Sequence, residues 1–157
     1  MAHKVSAGLL VYRRHRGEVQ VLLVHPGGPF WAGRDPGAWS IPKGEAQPSE
    51  PLLAAARREF HEETGFEITG DFQELAPVRQ RSGKVIHAWA VQGDYNPEDL
   101  HSNMFTLEWP PHSGEMREFP EVDRGAWFSI PRALQQIVPG QSDLLRELAR
   151  LLGHPSG

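Results

Sequence analysis

Three glutamates in the segment 58–63 (REFHEE) place the strongest constraint on how this chain can fold. If the segment is helical, Glu59, Glu62 and Glu63 have i,i+3 and i,i+4 spacing and share one face, where like charges repel. At about 100° per residue, Leu53 and Phe60 fall to one side of this acidic face and can contact a core. The pattern predicts a helix with one core-facing side and one acidic side.

The same segment carries signals for both ends of the helix. Ser49 is the predicted N-cap, and Pro51 falls in the first turn, where its missing N–H costs nothing. Gly65 is the predicted stop after Thr64. Ala55 and Ala56 lie on the acidic side, and their small side chains are expected to leave space above the helix.

The acidic face has two explanations that the helix alone does not separate. Runs of charge usually form a solvated helix face. The alternative is a site for hard divalent cations, because oxygen-only ligands suit Mg²⁺ or Mn²⁺ and a bound cation turns the mutual repulsion into attraction.

Composition narrows the class of protein. The 157 residues suit one domain spanning 1–157, with 39% apolar residues for its core. The net charge of −4 argues against a broad basic surface for nucleic acid, though not against a local basic pocket. The absence of cysteine excludes disulfides, zinc–thiolate sites and cysteine nucleophiles. The N-terminal apolar run precedes its arginines and is short, so neither a signal peptide nor a membrane span is predicted, and a cytoplasmic protein is expected.

Strands and helices occur at separated places along the chain. The helix at 49–64 is followed much later by an amphipathic helix at 143–152, with Ser142 as its predicted N-cap. The long loop 26–39 between two of the strands is rich in Gly, Pro and aromatic residues, and such loops are often functional. This arrangement predicts an α/β or α+β sandwich. The predicted strands are 5–13, 19–25, 39–42, 66–80, 84–91, 104–109 and 125–130.

The segment 44–66, GEAQPSEPLLAAARREFHEETGF, resembles the signature of the Nudix hydrolases. The two aliphatic places of that signature hold Phe60 and Phe66, which remain apolar. Seven fixed positions match at the required spacing: Gly44, Glu50, Arg58, Glu59, Glu62, Glu63 and Gly65.

The resemblance implies an α/β/α sandwich around a mixed β-sheet, with the signature forming a loop–helix–loop catalytic motif. It implies Mg²⁺-dependent hydrolysis, with Mn²⁺ as a substitute, of a pyrophosphate bond in a nucleoside diphosphate-linked substrate. Glu59, Glu62 and Glu63 then occupy metal-ligand positions, with the carbonyl of Gly44 as a further ligand. Glu62 and Glu63 are also catalytic candidates. Structural roles fall to Glu50, Arg58 and Gly65, the first two as an ion pair.

Many members of that family supply one more glutamate from a loop before a late strand. Glu121 is the favoured candidate, both as metal ligand and as catalytic residue, because it lies shortly before Trp127. Glu118 and Glu115 are the alternatives. For each of them the competing explanation is a solvated loop acid.

Candidate substrate contacts lie around the signature. Lys43 directly precedes its glycine, where an ammonium can meet phosphate. Trp31, with Phe30 and Trp109, can stack on a base, although core packing or loop anchoring is the commoner role for each. Arg81 at a hairpin tip can contact phosphate, and a solvated hairpin tip explains it equally well. The stretch WSIPKG, 39–44, is similar to branches that act on longer phosphate chains, which favours a dinucleoside polyphosphate or a nucleoside triphosphate.

Two other functions stay open at this point. One is a catalytically silent Nudix-fold module that senses a nucleotide, although such a module has no need of the complete carboxylate set. The other is an RNA 5′-end pyrophosphohydrolase, which the negative net charge disfavours. A small-molecule nucleotide is the expected partner. No association with a membrane is expected, and the resemblance is compatible with a homodimer.

Overall fold

The long first strand lies at the centre of a mixed sheet in the computed structural model, which describes residues 5–153. The strands in this range are β1 (Val5–His15), β2 (Glu18–Pro26), β3 (Lys43–Glu45), β4 (Gln73–Glu74), β5 (Val78–Arg79), β6 (Val85–Gln92), β7 (Met104–Glu108), β8 (Met116–Pro120) and β9 (Val122–Ser129). The helices are α1 (Leu52–Thr64), α2 (Ile130–Gln136) and α3 (Ser142–Leu151), with 3₁₀ turns at Pro97–Asp99 and Pro139–Gln141.

Strand β1 pairs on both of its edges. On one edge it runs parallel to β6. On the other it is antiparallel to β2 near its C-terminal end and to β3 near its N-terminal end. The main sheet has the order β4-β6-β1-β2-β9, with β5 added to β6, while β7 and β8 form a separate hairpin. A parallel β1–β6 pair requires a long crossover, and α1 lies within it.

Apolar side chains of β1 are buried on both faces of the sheet. Leu10 packs into one cluster with Leu144 and Leu148 of α3. Leu9 packs into the opposite cluster with Phe60 of α1. Helices therefore cover both faces, and the expected α/β/α sandwich around a mixed sheet is confirmed.

The helix starts differ from the prediction. Ser49 adopts a left-handed conformation with φ of 65° and lies outside α1, whose N-cap position holds Pro51 without a side-chain cap. Ser142 is inside α3 because a 3₁₀ turn leads directly into that helix, with Gln141 at the N-cap. Gly65 does end α1, with φ of 78°.

The strand prediction is wrong in two places and incomplete in others. The range 66–80 is not one strand but contains the two short strands β4 and β5. Each of them pairs with a different part of β6. The range 39–42 makes isolated bridges at Trp39 and Ser40, and the strand begins at Lys43 instead. Strand β8 and helix α2 were not predicted.

Two leucines of α3 give a matched test of the core. Leu148 is 1% exposed, whereas Leu151 is 44% exposed. Leu148→Ala is expected to lower the free energy of unfolding by about 2–5 kcal/mol, because it leaves a cavity. Leu151→Ala is expected to change it by less than about 1 kcal/mol. Urea denaturation measures both, and equal losses would contradict this packing of α3.

Candidate active site

Helix α1 places its acidic residues at the border between the core and solvent. Ala55, Ala56 and Phe60 are fully buried against the sheet. The two alanines therefore do not leave open space above the helix, as the sequence suggested, because they let α1 pack closely on β1. Since Glu59 is only 12% exposed, the acidic face is not a freely solvated one.

Arg58 holds the acidic residues of the motif together. Its Nε and Nη2 donate to the two carboxylate oxygens of Glu50 at 2.9 and 3.0 Å. Its Nη1 donates to Glu59 at 2.9 Å and to Glu62 at 3.1 Å, and Nη2 also reaches the carbonyl of Glu45 at 3.1 Å. One guanidinium thus joins the segment before α1 to the helix and partly neutralises the repulsion on its face. The hydrogen bonds from Arg58 lower the pKa of Glu50 to about 2.

Strand β3 brings Lys43 and Gly44 against the acidic face of α1. The Glu59 carboxylate lies so close to Gly44 that a Cβ there would be 2.0 Å from Oε2. The backbone N–H of Lys43 donates to Oε1 of Glu63 at 3.2 Å. A side chain at position 44 would therefore displace Glu59, which accounts physically for glycine at this place in the motif.

Glu121 reaches the same site through a chain of backbone hydrogen bonds. Asn103 N–H donates to the carbonyl of Glu62 at 2.8 Å, and Glu121 N–H donates to the carbonyl of Asn103 at 2.8 Å. Gly27 N–H then donates to the carbonyl of Glu121 at 3.0 Å. The end of α1, the segment before β7, the start of β9 and the long loop are thereby fixed to one another.

The alternatives to Glu121 lie elsewhere. Glu118 is exposed on β8, opposite Thr106, and Glu115 forms an exposed ion pair with Arg117 at 3.3 Å. The structure places Glu121, and neither of these two, beside the acidic face of α1.

Burial disfavours the ionised form of the carboxyl groups in this site. It raises the pKa of Glu63 to about 8, opposed by the positive charge of Lys43, and it also raises the pKa of Glu59, opposed by the hydrogen bond from Arg58. The pKa of Glu121 is raised by burial and by the charge of Glu62. Burial lowers the pKa of Lys43, opposed by Glu63. A positive charge placed among these groups would oppose every one of the carboxyl shifts.

The residues present fit a hard divalent cation by chemistry and by placement. Glu59, Glu62, Glu63 and Glu121 offer only oxygen donors, and Gly44 provides the cradle beside Glu59. In residues 5–153, no three acidic or imidazole groups converge tightly enough to enclose an ion, because Glu59 and Glu62 are turned toward Arg58. Arg58 engages one oxygen of Glu59 and one of Glu62, so a cation would share these carboxylates with the guanidinium.

The expected substrate contacts are only partly brought together. Lys43 lines a cavity of about 160 Å³ together with Glu63 and Glu121. Trp31 is 41% exposed in the long loop, and Phe30 beside it packs edge-on against Trp109. Arg81 is exposed at the turn between β5 and β6 and does not line the cavity.

The sequence did not identify the polar floor of that cavity, meaning the three uncharged polar residues that line it: Ser40, Gln80 and Gln141. Gln141 is fully buried and its Oε1 accepts a hydrogen bond from the Ile41 N–H at 3.0 Å, across one hundred positions of the chain. No local pattern could reveal this pairing. The only available signal was PGQ at 139–141, a turn with a buriable amide.

It also missed the anchor of the long loop. His25 is fully buried, with Nδ1 3.0 Å from Oδ1 of Asp123 and Nε2 hydrogen-bonded to the carbonyl of Arg34. Asp35 in the same loop pairs with Arg124 of β9. These contacts fasten the loop that carries Trp31 to the strand that follows Glu121.

Comparison with known proteins agrees with this architecture. A family model described as NUDIX domain matches residues 2–148. An RNA pyrophosphohydrolase of Caulobacter vibrioides is 30% identical, over 87% of this chain and 95% of that protein. A Mus musculus asymmetrical bis(5′-nucleosyl)-tetraphosphatase is 32% identical, over 59% of this chain and 68% of that protein.

Solved structures share the fold. A C. elegans Ap4A hydrolase binary complex superposes with a TM-score of 0.67 at 23% identity, covering 94% of this chain and 98% of that one. The NUDIX domain of Shewanella oneidensis NrtR, complexed with ADP ribose, has a TM-score of 0.66 at 19% identity, covering 97% and 89%. No helix within residues 5–153 has the length and apolar character needed to cross a membrane.

The raised pKa of Glu63 predicts how the stability of the metal-free protein depends on pH. The folded protein holds this proton up to about pH 8, whereas the ordinary value is 4.5, so unfolding releases a proton between those limits. In EDTA, the free energy of unfolding should fall as pH rises from about 5 to 8, by on the order of a few kcal/mol.

Denaturation of Glu63→Gln across that pH range checks the assignment. The variant should lose most of the slope, whereas the matched exposed control Glu67→Gln should keep it. An unchanged slope in Glu63→Gln would show that another group carries the effect.

Proposed function

Because this chain belongs to the Nudix family and is a hydrolase of pyrophosphate bonds, we propose that its substrate is a nucleotide with an extended phosphate chain, cleaved with Mg²⁺ as the cofactor. Dinucleoside polyphosphates and nucleoside triphosphates are the leading substrate classes. The observation that carries this proposal is that Glu63 and Glu121 line one cavity together with Lys43, beside the face of α1 that carries Glu59 and Glu62.

In the proposed site, Glu59, Glu62, Glu63 and Glu121, with the carbonyl of Gly44, would hold the cation. When bound, Mg²⁺ supplies positive charge to the phosphate oxygens and acidifies a coordinated water. Without such compensation the acidic face would repel a polyphosphate, since its own cations, Arg58 and Lys43, are already surrounded by carboxylates.

The residues of the motif are proposed to have the following catalytic and structural roles. A carboxylate that the cation leaves uncoordinated would accept the proton of the coordinated water, and Glu63 is the first candidate because it lines the cavity beside Lys43. Glu62 and Glu121 stand beside it as further catalytic candidates. Arg58 orients Glu59 and Glu62, and Glu50 in turn fixes Arg58. Gly65 ends the helix so that the chain can turn back toward Asn103.

Substrate contacts are assigned to Lys43, Trp31 and Arg81. The Lys43 ammonium lies nearest to the carboxylates and suits a phosphate oxygen close to the cleaved bond. Trp31 offers an exposed indole for stacking on the group at the far end of the phosphate chain. Arg81 is more distant and suits a terminal phosphate.

A second candidate substrate is the triphosphorylated 5′ end of RNA. The similarity to the Caulobacter RNA pyrophosphohydrolase over 87% of the chain favours it. The exposed aromatic loop would then contact the first nucleotides. The net charge of −4 limits such contacts to a short segment of RNA.

We further propose that residues 1–157 act as a single domain, that the protein works in the cytoplasm, and that it can form a homodimer. The family match over residues 2–148 supports the single domain. Light scattering of the purified chain would measure the oligomeric state directly.

A hydrolysis panel tests the proposed function. Nucleoside triphosphates, dinucleoside polyphosphates, ADP-ribose, NADH, inositol pyrophosphates and triphosphorylated RNA are incubated with Mg²⁺ or with EDTA. Turnover should require Mg²⁺, and Glu62→Gln should reduce it by about 10²-fold or more. A flat panel combined with tight nucleotide binding by calorimetry would instead identify a silent nucleotide sensor.

Glu121 and Glu118 provide a matched pair for the late glutamate. Glu121→Gln is expected to reduce Mg²⁺-dependent turnover by about 10-fold to 10³-fold and to raise the Mg²⁺ concentration needed for half-maximal rate. Glu118→Gln, three residues away on exposed β8, should leave both unchanged. Equal behaviour of the two variants would remove Glu121 from the proposed site.

A further inference from the structure

The cavity beside the catalytic carboxylates has two chemically different parts. Lys43, Glu63 and Glu121 form its charged end. The rest combines apolar walls, such as Val24 and Val138, with the amides of Gln80 and Gln141. Apolar walls with a few fixed polar groups are typical of a pocket for a small organic group. Arg79 and Arg81, the arginines next to Gln80, are exposed and do not line the cavity, so this part of it lacks the guanidinium groups that a polyphosphate would use.

The orientation of the Gln141 amide is fixed by the backbone. The N–H of Ile41 can only donate, so the atom of Gln141 that it meets at 3.0 Å must be the carbonyl oxygen. The Gln141 Nε2 then donates to Ser40 Oγ at 3.0 Å and to Gln80 Oε1 at 3.2 Å. Ser40 completes the arrangement by donating to the carbonyl of Ile41 at 2.7 Å.

This chain of hydrogen bonds also fixes the Gln80 amide. Because Gln80 Oε1 accepts from Gln141, its Nε2 is the end left for a ligand, and that nitrogen makes no hydrogen bond to any other residue of the range 5–153. The amide therefore presents N–H donors to the cavity. Rotating it would bring two NH₂ groups together at about 3.2 Å, with no acceptor between them.

The close contact between Gln80 and the 139–141 turn keeps this arrangement rigid. A Cβ at Gly140 would lie 3.1 Å from the Gln80 Cα and 3.3 Å from its Cγ. The backbone N–H of Gln80 is also held, by the carbonyl of Lys84 at 2.8 Å. The donor is thus preorganised, and a preorganised donor discriminates between ligands more strongly than a mobile one.

We propose that this cavity binds the nucleobase of the substrate and that Gln80 selects a keto oxygen on the base over an amino group. The inference rests on the proposed function, because it assigns the base to the same site whose carboxylates act on the phosphate chain. A keto oxygen accepts a hydrogen bond from Gln80 Nε2. An exocyclic amine in the same place is itself a donor, so the two N–H groups face each other without a hydrogen bond. The favoured substrates are therefore those with 6-oxopurine or 4-oxopyrimidine bases.

Equilibrium binding tests this selectivity without depending on turnover. Nucleoside monophosphates contain no pyrophosphate bond, so calorimetry with Mg²⁺ can compare IMP with AMP and UMP with CMP. The wild-type protein should bind the keto member of each pair about tenfold more tightly. Gln80→Glu should reverse the order, because a carboxylate still accepts from Gln141 and then accepts from the amine. Gln80→Leu should bring the ratio close to one.

The control is Gln135→Glu, an exposed glutamine of α2, which should keep the wild-type ratio. An unchanged IMP/AMP ratio in Gln80→Glu would overturn the inference, as would equal loss of affinity for both members, since Gln80 would then contact ribose or phosphate. Failure of all four monophosphates to bind would overturn it as well.

Parallel assays of ITP and ATP hydrolysis separate this inference from the proposed function. Mg²⁺-dependent turnover without a keto preference in binding would leave the proposed function standing and reject the base assignment. A keto preference in binding without turnover of any nucleotide would support the base assignment and reject the proposed function.

Discussion

The guanidinium of Arg58 is the contact on which the site depends. It pairs with both oxygens of Glu50 before α1, and from the same group it reaches Glu59 and Glu62 on the helix. Three glutamates on one face of a helix repel one another and destabilise the helix. Arg58 reduces that cost in the metal-free protein and ties β3 and the preceding segment to the helix. A divalent cation would take over part of this neutralisation, so Arg58 and the cation compete for the same carboxylates.

The opposite side of α1 sets how deep those carboxylates lie. Ala55, Ala56 and Phe60 are fully buried and bring the helix close to β1. The close approach leaves Glu59 and Glu63 largely buried, which raises the pKa of each. Core packing and the site are therefore linked: the small residues that allow dense packing also set how deeply Glu59 and Glu63 lie.

Long-range contacts complete the site around this helix. The backbone chain from Glu62 through Asn103 to Glu121 joins α1 to β9, and the Ile41–Gln141–Gln80 hydrogen bonds join the floor of the cavity to the hairpin of β5 and β6. Both connections use backbone groups as anchors, whose donor or acceptor character is fixed. The charged end of the cavity and its amide end are consequently held in one frame, as an enzyme requires when it must position a bond for attack.

The sequence by itself determined the acidic helix, its end at Gly65, the central strands and the family to which the chain belongs, because helical spacing and strand alternation are local. The tertiary structure alone decided the rest. The break of 66–80 into two short strands and the burial of Gln141 both follow from partners far along the chain. The backbone bond that joins Glu121 to the segment held by α1 is also long-range, although the sequence had already favoured Glu121 over Glu118. Burial and long-range hydrogen bonds depend on which segments meet, and no local pattern contains that information.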